Sequence, residues 1–270
     1  MRPHEYIGIT GFKTIEEVEK VREFHTGFSG PNTQTEGNWV YRPMYGVISS
    51  NKRLEDRTSE GATSPSLRKI ADIFRAMPQD AFSTLHYFST NEETFGDEAT
   101  RILDNVHDHC KGLQINMKWP NYDQLRLLQR RFPHLEIILE IPKEAMTRLV
   151  IERADLYAEI NPQPVPYMLV DPSAGTSQDF AQQHVDIMKG LYERYPNLGV
   201  GIAGGLSPEN VKEKFEKVAY DFGNPFSIDA QGKLRTIDKT ALDINKVRKY
   251  VTEAGEGIRM ANKFCFQGRD

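Results

Sequence analysis

Eight short apolar runs recur along the chain, and each is followed by a segment with helical spacing or by turn residues. The runs do not alternate cleanly between apolar and polar residues, which is typical of parallel strands buried beneath helices. The pattern predicts strands at 6–10, 44–49, 83–88, 112–116, 136–141, 167–171, 199–203 and 226–229. It predicts helices at 13–25, 66–77, 97–106, 122–131, 143–153, 180–194, 208–221 and 244–251.

This alternation favours one α/β domain folded as a (β/α)8 barrel, the TIM-barrel fold, because eight such units commonly occupy about 250 residues. An open doubly wound sheet shares the alternation, but no Gly-x-Gly-x-x-Gly segment follows the first predicted strand. The barrel is expected to span residues 1–254, with an insertion at about 27–43. A poorly ordered C-terminal tail is expected at 255–270.

Two polar segments interrupt the repeat, one at 27–43 before the second strand and one at 51–64 after it. In a barrel, loops that follow strands lie on the active face, and loops that precede strands lie on the opposite face. The segment 51–64, which carries Arg53 and Arg57, is therefore the functional candidate. The segment 27–43 fits a structural or oligomer-forming insertion better, and a homodimer is left open.

Composition narrows the classes of partner. The formal net charge of −4 gives no overall attraction to nucleic acid or to anionic membranes. The apolar runs fall far short of the ~20 residues of a membrane helix, and the N-terminus lacks an apolar signal core. Cys110 and Cys265 have no redox or zinc spacing, so a reducing, cytoplasmic setting is expected. His107 and His109 are two residues apart and would not share a helix face; neither a metal nor a cofactor is predicted.

Two glycine turns are the clearest candidates for a ligand site. They consist of Ala203, Gly204 and Gly205 after the seventh strand and of Ala230, Gln231 and Gly232 after the eighth. Glycine lets the backbone approach a ligand and present N–H groups to a small anion. The loops after strands seven and eight are the usual phosphate site of such barrels. A tight turn that needs glycine for geometry alone is the alternative, but the pair favours a phosphorylated small molecule as the ligand.

Sequence motifs point to a family. Residues 203–211 read Ala-Gly-Gly-Leu-Ser-Pro-Glu-Asn-Val, which matches the Ala-Gly-Gly-Leu-x-Pro-Glu-Asn-Val of phosphoribosylanthranilate isomerases at every fixed position. Leu169-Val170-Asp171 and the following loop are similar to that family's Leu-Leu-Asp and Gly-Gly-Thr loop, which implies that Gly175 and Thr176 contact the substrate. Weaker likenesses at 9–12, 114–117 and 229–232 keep the family's order. The chain therefore resembles a divergent phosphoribosylanthranilate isomerase.

The resemblance implies an isomerase that carries out an Amadori rearrangement of a phosphoribosyl amine in tryptophan biosynthesis. In that family an Asp on the sixth strand protonates the ribose ring oxygen, and a Cys on the first strand removes the C2 proton. Asp171 falls at the position of the acid. Thr10 falls at the position of the base, where its hydroxyl is far too weakly acidic to replace a thiolate but can form hydrogen bonds. Arg53 or Arg57 corresponds to the family's carboxylate-binding arginine, and Asn116 replaces its histidine.

Other polar residues at predicted strand ends are His86, Lys118 and Glu140. His86 is a candidate for the substitute base, with a hydrogen-bonded core histidine as the alternative. Lys118 fits an ordinary loop residue better than a Schiff-base former.

Three functions stay open at this point. The first is an isomerase with an altered general base. The second is a non-catalytic barrel of the same descent that binds a phosphorylated ligand. The third is another phosphate-handling barrel enzyme, such as an epimerase, an aldolase or a thiamin-phosphate-synthase-like transferase.

Overall fold

Eight parallel strands close into a barrel in sequence order, and the last strand pairs with the first. The structure is a computed structural model. It describes residues 3–24, 39–146, 150–158, 165–172 and 182–267, with the backbone alone at 142, 144 and 265–267. The strands are β1 (Glu5–Thr10), β2 (Tyr41–Ser50), β3 (Phe82–Phe88), β4 (Gly112–Asn116), β5 (Glu136–Pro142), β6 (Tyr167–Asp171), β7 (Gly199–Ala203) and β8 (Ser227–Ala230). The predicted single-domain (β/α)8 barrel is confirmed.

Helices cover the outside of the barrel. In the described part of the chain they are α1 (Ile15–Arg22), α2 (Asn51–Glu55), α3 (Leu67–Ala76), α4 (Phe95–Leu103), α5 (Tyr122–Arg131), α6 (Val150–Ala158), α7 (Gln182–Arg194), α8 (Val211–Phe222) and α9 (Ile244–Gln267). Their buried positions recur at helical spacing, as Ile70, Ile73 and Phe74 do in α3. This spacing places one apolar stripe of each helix against the strands.

The start of α1 ties the beginning of the chain to the loop after β8. The hydroxyl of Thr14 accepts a hydrogen bond from the backbone N–H of Glu17, and the Glu17 carboxylate accepts one from the N–H of Thr14, which is a capping box. The other Glu17 oxygen accepts from the backbone N–H of Leu242 at 2.8 Å. The loop between β8 and α9 is thereby held against the N-terminus of α1.

Aromatic side chains fill the N-terminal end of the barrel. The rings of Tyr6, Phe82 and Tyr167, which lie at or next to the first residues of their strands, have centroids 5.5 to 6.0 Å apart. The Arg42 guanidinium lies 3.5 Å from the centroid of Phe82 and pairs with Glu136. Packed rings thus close this end of the barrel in the described structure, and the carboxyl ends of the strands form the open end.

Several element bounds differ from the predicted ones. β2 begins at Tyr41, so residues 41–43 of the predicted insertion belong to a strand, and residues 27–38 lie outside the described residues. α9 is longer than predicted, because Ile258 and Ala261 continue its buried face; residues 255–267, expected as a tail, continue the helix. α8 begins at Val211, and Pro208 belongs to the turn before it. Among the described helices, none is both long and apolar enough to span a membrane.

Candidate active site

A cavity of about 850 Å³ opens at the carboxyl ends of the strands. The strands contribute His86, Phe88, Gln114, Asn116, Glu140, Asp171, Ala203, Asp229 and Ala230 to its lining. The turns and loops above them contribute Thr63, Ser89, Thr90, Glu92, Met117, Lys118, Gly204, Gly205, Leu206, Gln231, Gly232, Lys233, Arg235 and Lys239. Parallel strands bring their carboxyl ends to one face of the barrel, which is where the active sites of such barrels lie.

The floor of the cavity holds a hydrogen-bonded group of acidic and polar side chains. The hydroxyl of Thr10 lies 2.9 and 3.0 Å from the two carboxylate oxygens of Asp229. The amide of Gln114 donates to Asp229 at 3.3 Å and to Glu140 at 3.5 Å. Thr10, Gln114, Glu140 and Asp229 are all buried. Two carboxyl groups are thus held inside the barrel by neutral donors.

Burial raises the pKa of Asp229, and the charge of Asp171 adds to that effect, while His86 and the hydrogen bonds from Thr10 and Gln114 oppose it. Burial also raises the pKa of Glu140, against the opposing hydrogen bond and charge of His86. A buried carboxyl whose pKa is raised exchanges a proton closer to neutral pH than an exposed one does. The cavity floor therefore contains groups suited to general acid–base chemistry.

His86 lies between Glu140 and Asn116. Its Nε2 atom is 3.5 Å from a Glu140 carboxylate oxygen and 3.5 Å from the amide nitrogen of Asn116. Burial alone would lower the pKa of His86, but the hydrogen bond and charge of Glu140, with the charges of Asp229 and Asp171, more than offset it and raise that pKa. Its Nδ1 atom is buried without a hydrogen-bond partner among the described residues. His86 and Glu140 form a coupled pair in the cavity wall.

The two glycine turns lie on the β7–β8 side of the cavity. Gly204 and Gly205 have φ angles of 88° and 66°, in the left-handed region that favours glycine. The side chain of Asn210 fixes this turn by donating to the carbonyl of Gly205 at 2.9 Å and accepting from the N–H of Ser207 at 2.8 Å. A Cβ placed on Gly232 would meet open space. The turns thus border the cavity directly, as the pairing of glycines predicts.

Basic residues surround the mouth. Lys118, Lys233 and Lys239 are exposed and line the cavity, whereas Arg235 lines it while only 2% exposed. The exposed carboxylate of Glu92 also lines the cavity, so the described rim of the mouth carries more basic than acidic side chains above a carboxyl-rich base. An anionic ligand would place its charge at the rim and its uncharged part near the floor.

The structure brings together most of the predicted site residues. His86, Asn116 and Asp171 line the cavity together with both glycine turns. Thr10 does not line it: the side chain is fully buried beneath Asp229. The predicted position of a base is therefore occupied by a residue that holds a carboxylate.

The remaining predicted contacts lie elsewhere. Arg53 is in α2, and its guanidinium donates to the hydroxyl of Ser59 at 2.8 Å. Neither Arg53 nor Arg57 is part of the cavity lining in the described structure. Gly175 and Thr176 lie outside the described residues.

Sequence reasoning missed Asp229, Gln114 and Arg235 as site residues. An acidic residue inside a four-residue buried strand was an available signal for Asp229, because carboxyl groups are seldom fully buried without a partner. Gln114 lies on β4 within a segment compared with the family motif, but its inward direction depends on the register. Arg235 follows a turn, where arginine is normally solvated, and carried no signal. Among the described residues, no group of three or more His, Cys, Asp or Glu side chains is arranged to hold a metal ion.

Solved structures of phosphoribosylanthranilate isomerases share this fold. Phosphoribosylanthranilate isomerase from Thermotoga maritima is 16% identical to this chain, with a TM-score of 0.59, over 93% of this chain and 98% of that one. A second phosphoribosylanthranilate isomerase, solved in complex with reduced 1-(o-carboxyphenylamino)-1-deoxyribulose 5-phosphate, is 17% identical with a TM-score of 0.56, over 93% and 98% of the two chains. This chain has a phosphoribosylanthranilate isomerase-like TIM barrel.

The same barrel is shared more widely. A Rubisco-like protein from Rhodopseudomonas palustris is 9% identical with a TM-score of 0.54, over 99% of this chain and 66% of that one. At these identities the likeness is one of fold. No protein-family model matches the sequence, and neither does any curated protein.

Proposed function

We propose that the protein is an isomerase of a phosphorylated small molecule, in which Asp171 donates a proton to the substrate and Asp229 removes one. The observation that carries the proposal is the buried carboxyl of Asp229 in the cavity floor, supported on both oxygens by Thr10 and sharing the cavity with Asp171. Thr10 stands where the resemblance would place the cysteine base, and it orients the Asp229 carboxylate, which can act as the base instead.

The two aspartates differ in their surroundings. Asp229 is 4% exposed and receives hydrogen bonds from Thr10 and Gln114, while Asp171 lies half-buried at the end of β6. The charge of Asp171 contributes to the raised pKa of Asp229. Pairs of titratable groups in unlike environments are the usual mark of assigned acid and base roles.

The proposed reaction is an internal rearrangement that balances without a cofactor. Asp171 gives a proton to the ring oxygen of a phosphorylated aldosyl amine, and the C1–O bond breaks as the lone pair of the amine nitrogen forms a C1=N bond. Asp229 takes the proton from C2, the electron pair of that C–H bond forms a C1=C2 bond, and the C=N electron pair returns to nitrogen. The resulting enol tautomerises to the ketone. The product is an isomer of the substrate, so no electrons enter or leave.

The glycine turns and the lysines of the rim support a phosphate as the anchoring group. Gly204, Gly205 and Gly232 border the cavity on the side where Lys233 and Lys239 also reach it. The structural neighbour described above, solved with a deoxyribulose 5-phosphate compound, supports a sugar phosphate as the first substrate to test. The place of the protein in tryptophan biosynthesis is part of the same proposal.

The test is turnover of phosphoribosylanthranilate, together with a small panel of aldose and ketose phosphates. Asp229→Asn and Asp171→Asn should each lower kcat by about 10²–10⁴-fold with little change in KM, because general acid–base catalysis is typically worth that much. Asp97→Asn, which removes an exposed carboxylate from α4, is the matched control. Phosphate-ligand binding that persists in a protein with no turnover on the panel would instead support the non-catalytic barrel.

A further inference from the structure

Arg235 is a charged side chain buried in the wall of the cavity. It follows the short 3₁₀ helix Gly232–Leu234 after β8, and 2% of its surface is exposed. It lines the cavity next to Lys233 and Lys239. A cation removed from water in this way requires compensation, since an unpaired buried charge is strongly unfavourable.

The described residues supply only part of that compensation. One guanidinium nitrogen, Nη2, donates to the backbone carbonyls of Gly11 at 3.0 Å and of Thr63 at 3.4 Å. The other two nitrogens, Nε and Nη1, are buried and have no hydrogen-bond partner among the described residues. Burial lowers the pKa of Arg235, and the charge of Glu17 partly opposes that effect. The carboxylate of Glu17 itself is hydrogen-bonded to the backbone N–H groups of Lys13, Thr14 and Leu242.

The backbone around Arg235 leaves room for the guanidinium and fixes its position. Gly11 has a φ of 114°, and a Cβ built there would lie 1.8 Å from Nη2 of Arg235. The carbonyl of the same glycine accepts the hydrogen bond from Nη2. The residue after β1 thus holds Nη2 of the guanidinium, while the donors at Nε and Nη1 stay unpaired among the described residues.

We infer that the unpartnered donors of the Arg235 guanidinium, at Nε and Nη1, receive an oxyanion of the cavity ligand. The inference rests on the proposed function in that it takes this cavity as the ligand site. A hydrogen bond from a guanidinium N–H to a carboxylate or phosphate oxygen is charge-assisted and therefore strong. The oxyanion comes either from the phosphate group at the glycine turns or from a carboxylate elsewhere on the ligand, and the two sources are separable by experiment.

The experiment measures binding of inorganic phosphate and of malonate by titration calorimetry. Arg235→Met removes the charge and keeps an unbranched side chain. Arg235→Lys keeps the charge but removes the guanidinium. Arg68→Met, which removes an exposed arginine from α3, is the control. Arg235→Met should raise the dissociation constant of at least one of the two anions by about tenfold or more, as expected for lost hydrogen bonds to a charged group. Arg235→Lys should recover part of that affinity, and Arg68→Met should match the natural protein.

Gly232→Asp identifies the source of the oxyanion, because it adds a negative charge at the glycine turns. Loss of phosphate binding in both Gly232→Asp and Arg235→Met would make Arg235 part of the phosphate site. Loss of malonate binding in Arg235→Met, with phosphate binding lost only in Gly232→Asp, would make it a separate carboxylate subsite. Either result supports the inference.

Unchanged dissociation constants for both anions in a folded Arg235→Met would overturn it and make Arg235 a structural residue. A readout that needs no variant is the NMR resonance of the Arg235 Nε–H, which should shift when the natural protein is saturated with the bound anion; a resonance that does not move also rejects the inference. These measurements require no turnover. A protein inactive on the substrate panel that still binds anions through Arg235 would reject the proposed isomerase and retain this inference.

Discussion

The hydroxyl of Thr10 bridges both carboxylate oxygens of Asp229, at 2.9 and 3.0 Å, across the seam where the barrel closes. Thr10 ends β1 and Asp229 lies on β8, and these strands pair with Gly8 opposite Asp229. A side chain at the end of the first strand therefore supports a carboxylate on the last strand. Thr10 is a positioning residue, and Asp229 is the group that faces the cavity.

Thr10→Val should destabilise the protein at neutral pH by about 1–3 kcal/mol, because the buried carboxylate of Asp229 loses the hydroxyl donor next to both of its oxygens and keeps the weaker bond from Gln114. Valine has nearly the same shape, so the effect reports the hydroxyl. Thr10→Ser keeps the hydroxyl and should recover most of the loss. Urea unfolding of the three proteins measures the difference. Equal stability of Thr10→Val and Thr10→Ser would show that the hydrogen bond contributes nothing measurable.

Asp229→Asn should stabilise the protein at neutral pH and lose that advantage in acid. Burial raises the pKa of Asp229 above its value in the unfolded chain, so between the two values the folded state binds more protons and the free energy of unfolding falls as pH rises. Each unit of that difference is worth about 1.4 kcal/mol. The free energy of unfolding at pH 7 and at pH 4 checks it, with Asp97→Asn as the control for lost charge. A stability gain of Asp229→Asn that is the same at pH 7 and at pH 4 would contradict a raised pKa of Asp229.

Glu140→Gln should lower the pKa of His86, because the hydrogen bond and the charge of Glu140 are the main effects that raise it against burial. NMR titration of the His86 ring protons measures the shift. Glu136→Gln is the matched control: it neutralises a glutamate of the same strand at the opposite end of the barrel, where the partner is Arg42. A His86 pKa unaffected by Glu140→Gln would mean that the 3.5 Å pair does not persist in solution.

Gly232→Asp should abolish binding of inorganic phosphate while leaving the melting temperature close to that of the natural protein. A side chain at this position meets open space, so the fold has room for it, but its carboxylate would repel an anion at the turns. Gly232→Asn has similar size without the charge and should weaken phosphate much less. Calorimetric titration measures phosphate binding, and thermal unfolding measures the melting temperature. Unchanged phosphate affinity in Gly232→Asp would place the anion elsewhere.

Replacement by alanine should have very different effects on stability at Gly11 and at Gly232. Gly11→Ala should destabilise the protein by about 2 kcal/mol or more, because its φ of 114° is strained for alanine and the Cβ would overlap the Arg235 guanidinium. Gly232→Ala should change stability by less than about 1 kcal/mol, since its Cβ is unobstructed. Denaturant unfolding of both variants is the measurement. Comparable losses at both positions would contradict the described packing.

The order of strands and helices could be predicted from the sequence, because buried strands and amphipathic helices leave local periodicities that do not depend on distant contacts. The glycine turns after β7 and β8 were also predictable, since a left-handed backbone at Gly204 and Gly205 selects for glycine locally. Asp171 was predicted as a site residue from the family resemblance at 169–171, and it lines the cavity because it ends a strand, since strand ends of a parallel barrel share one face.

The hydrogen bonds from Thr10 to Asp229 and the burial of Arg235 were decided by the tertiary structure. Thr10 and Asp229 are 219 positions apart, and they meet only because β8 pairs with β1 in one register. A shift of one residue in that register would turn Asp229 to the opposite face of the strand. Arg235 is likewise buried against Gly11 by barrel closure. Local sequence sets which elements form, but side-chain direction and burial depend on strand register and closure, which are properties of the assembled barrel.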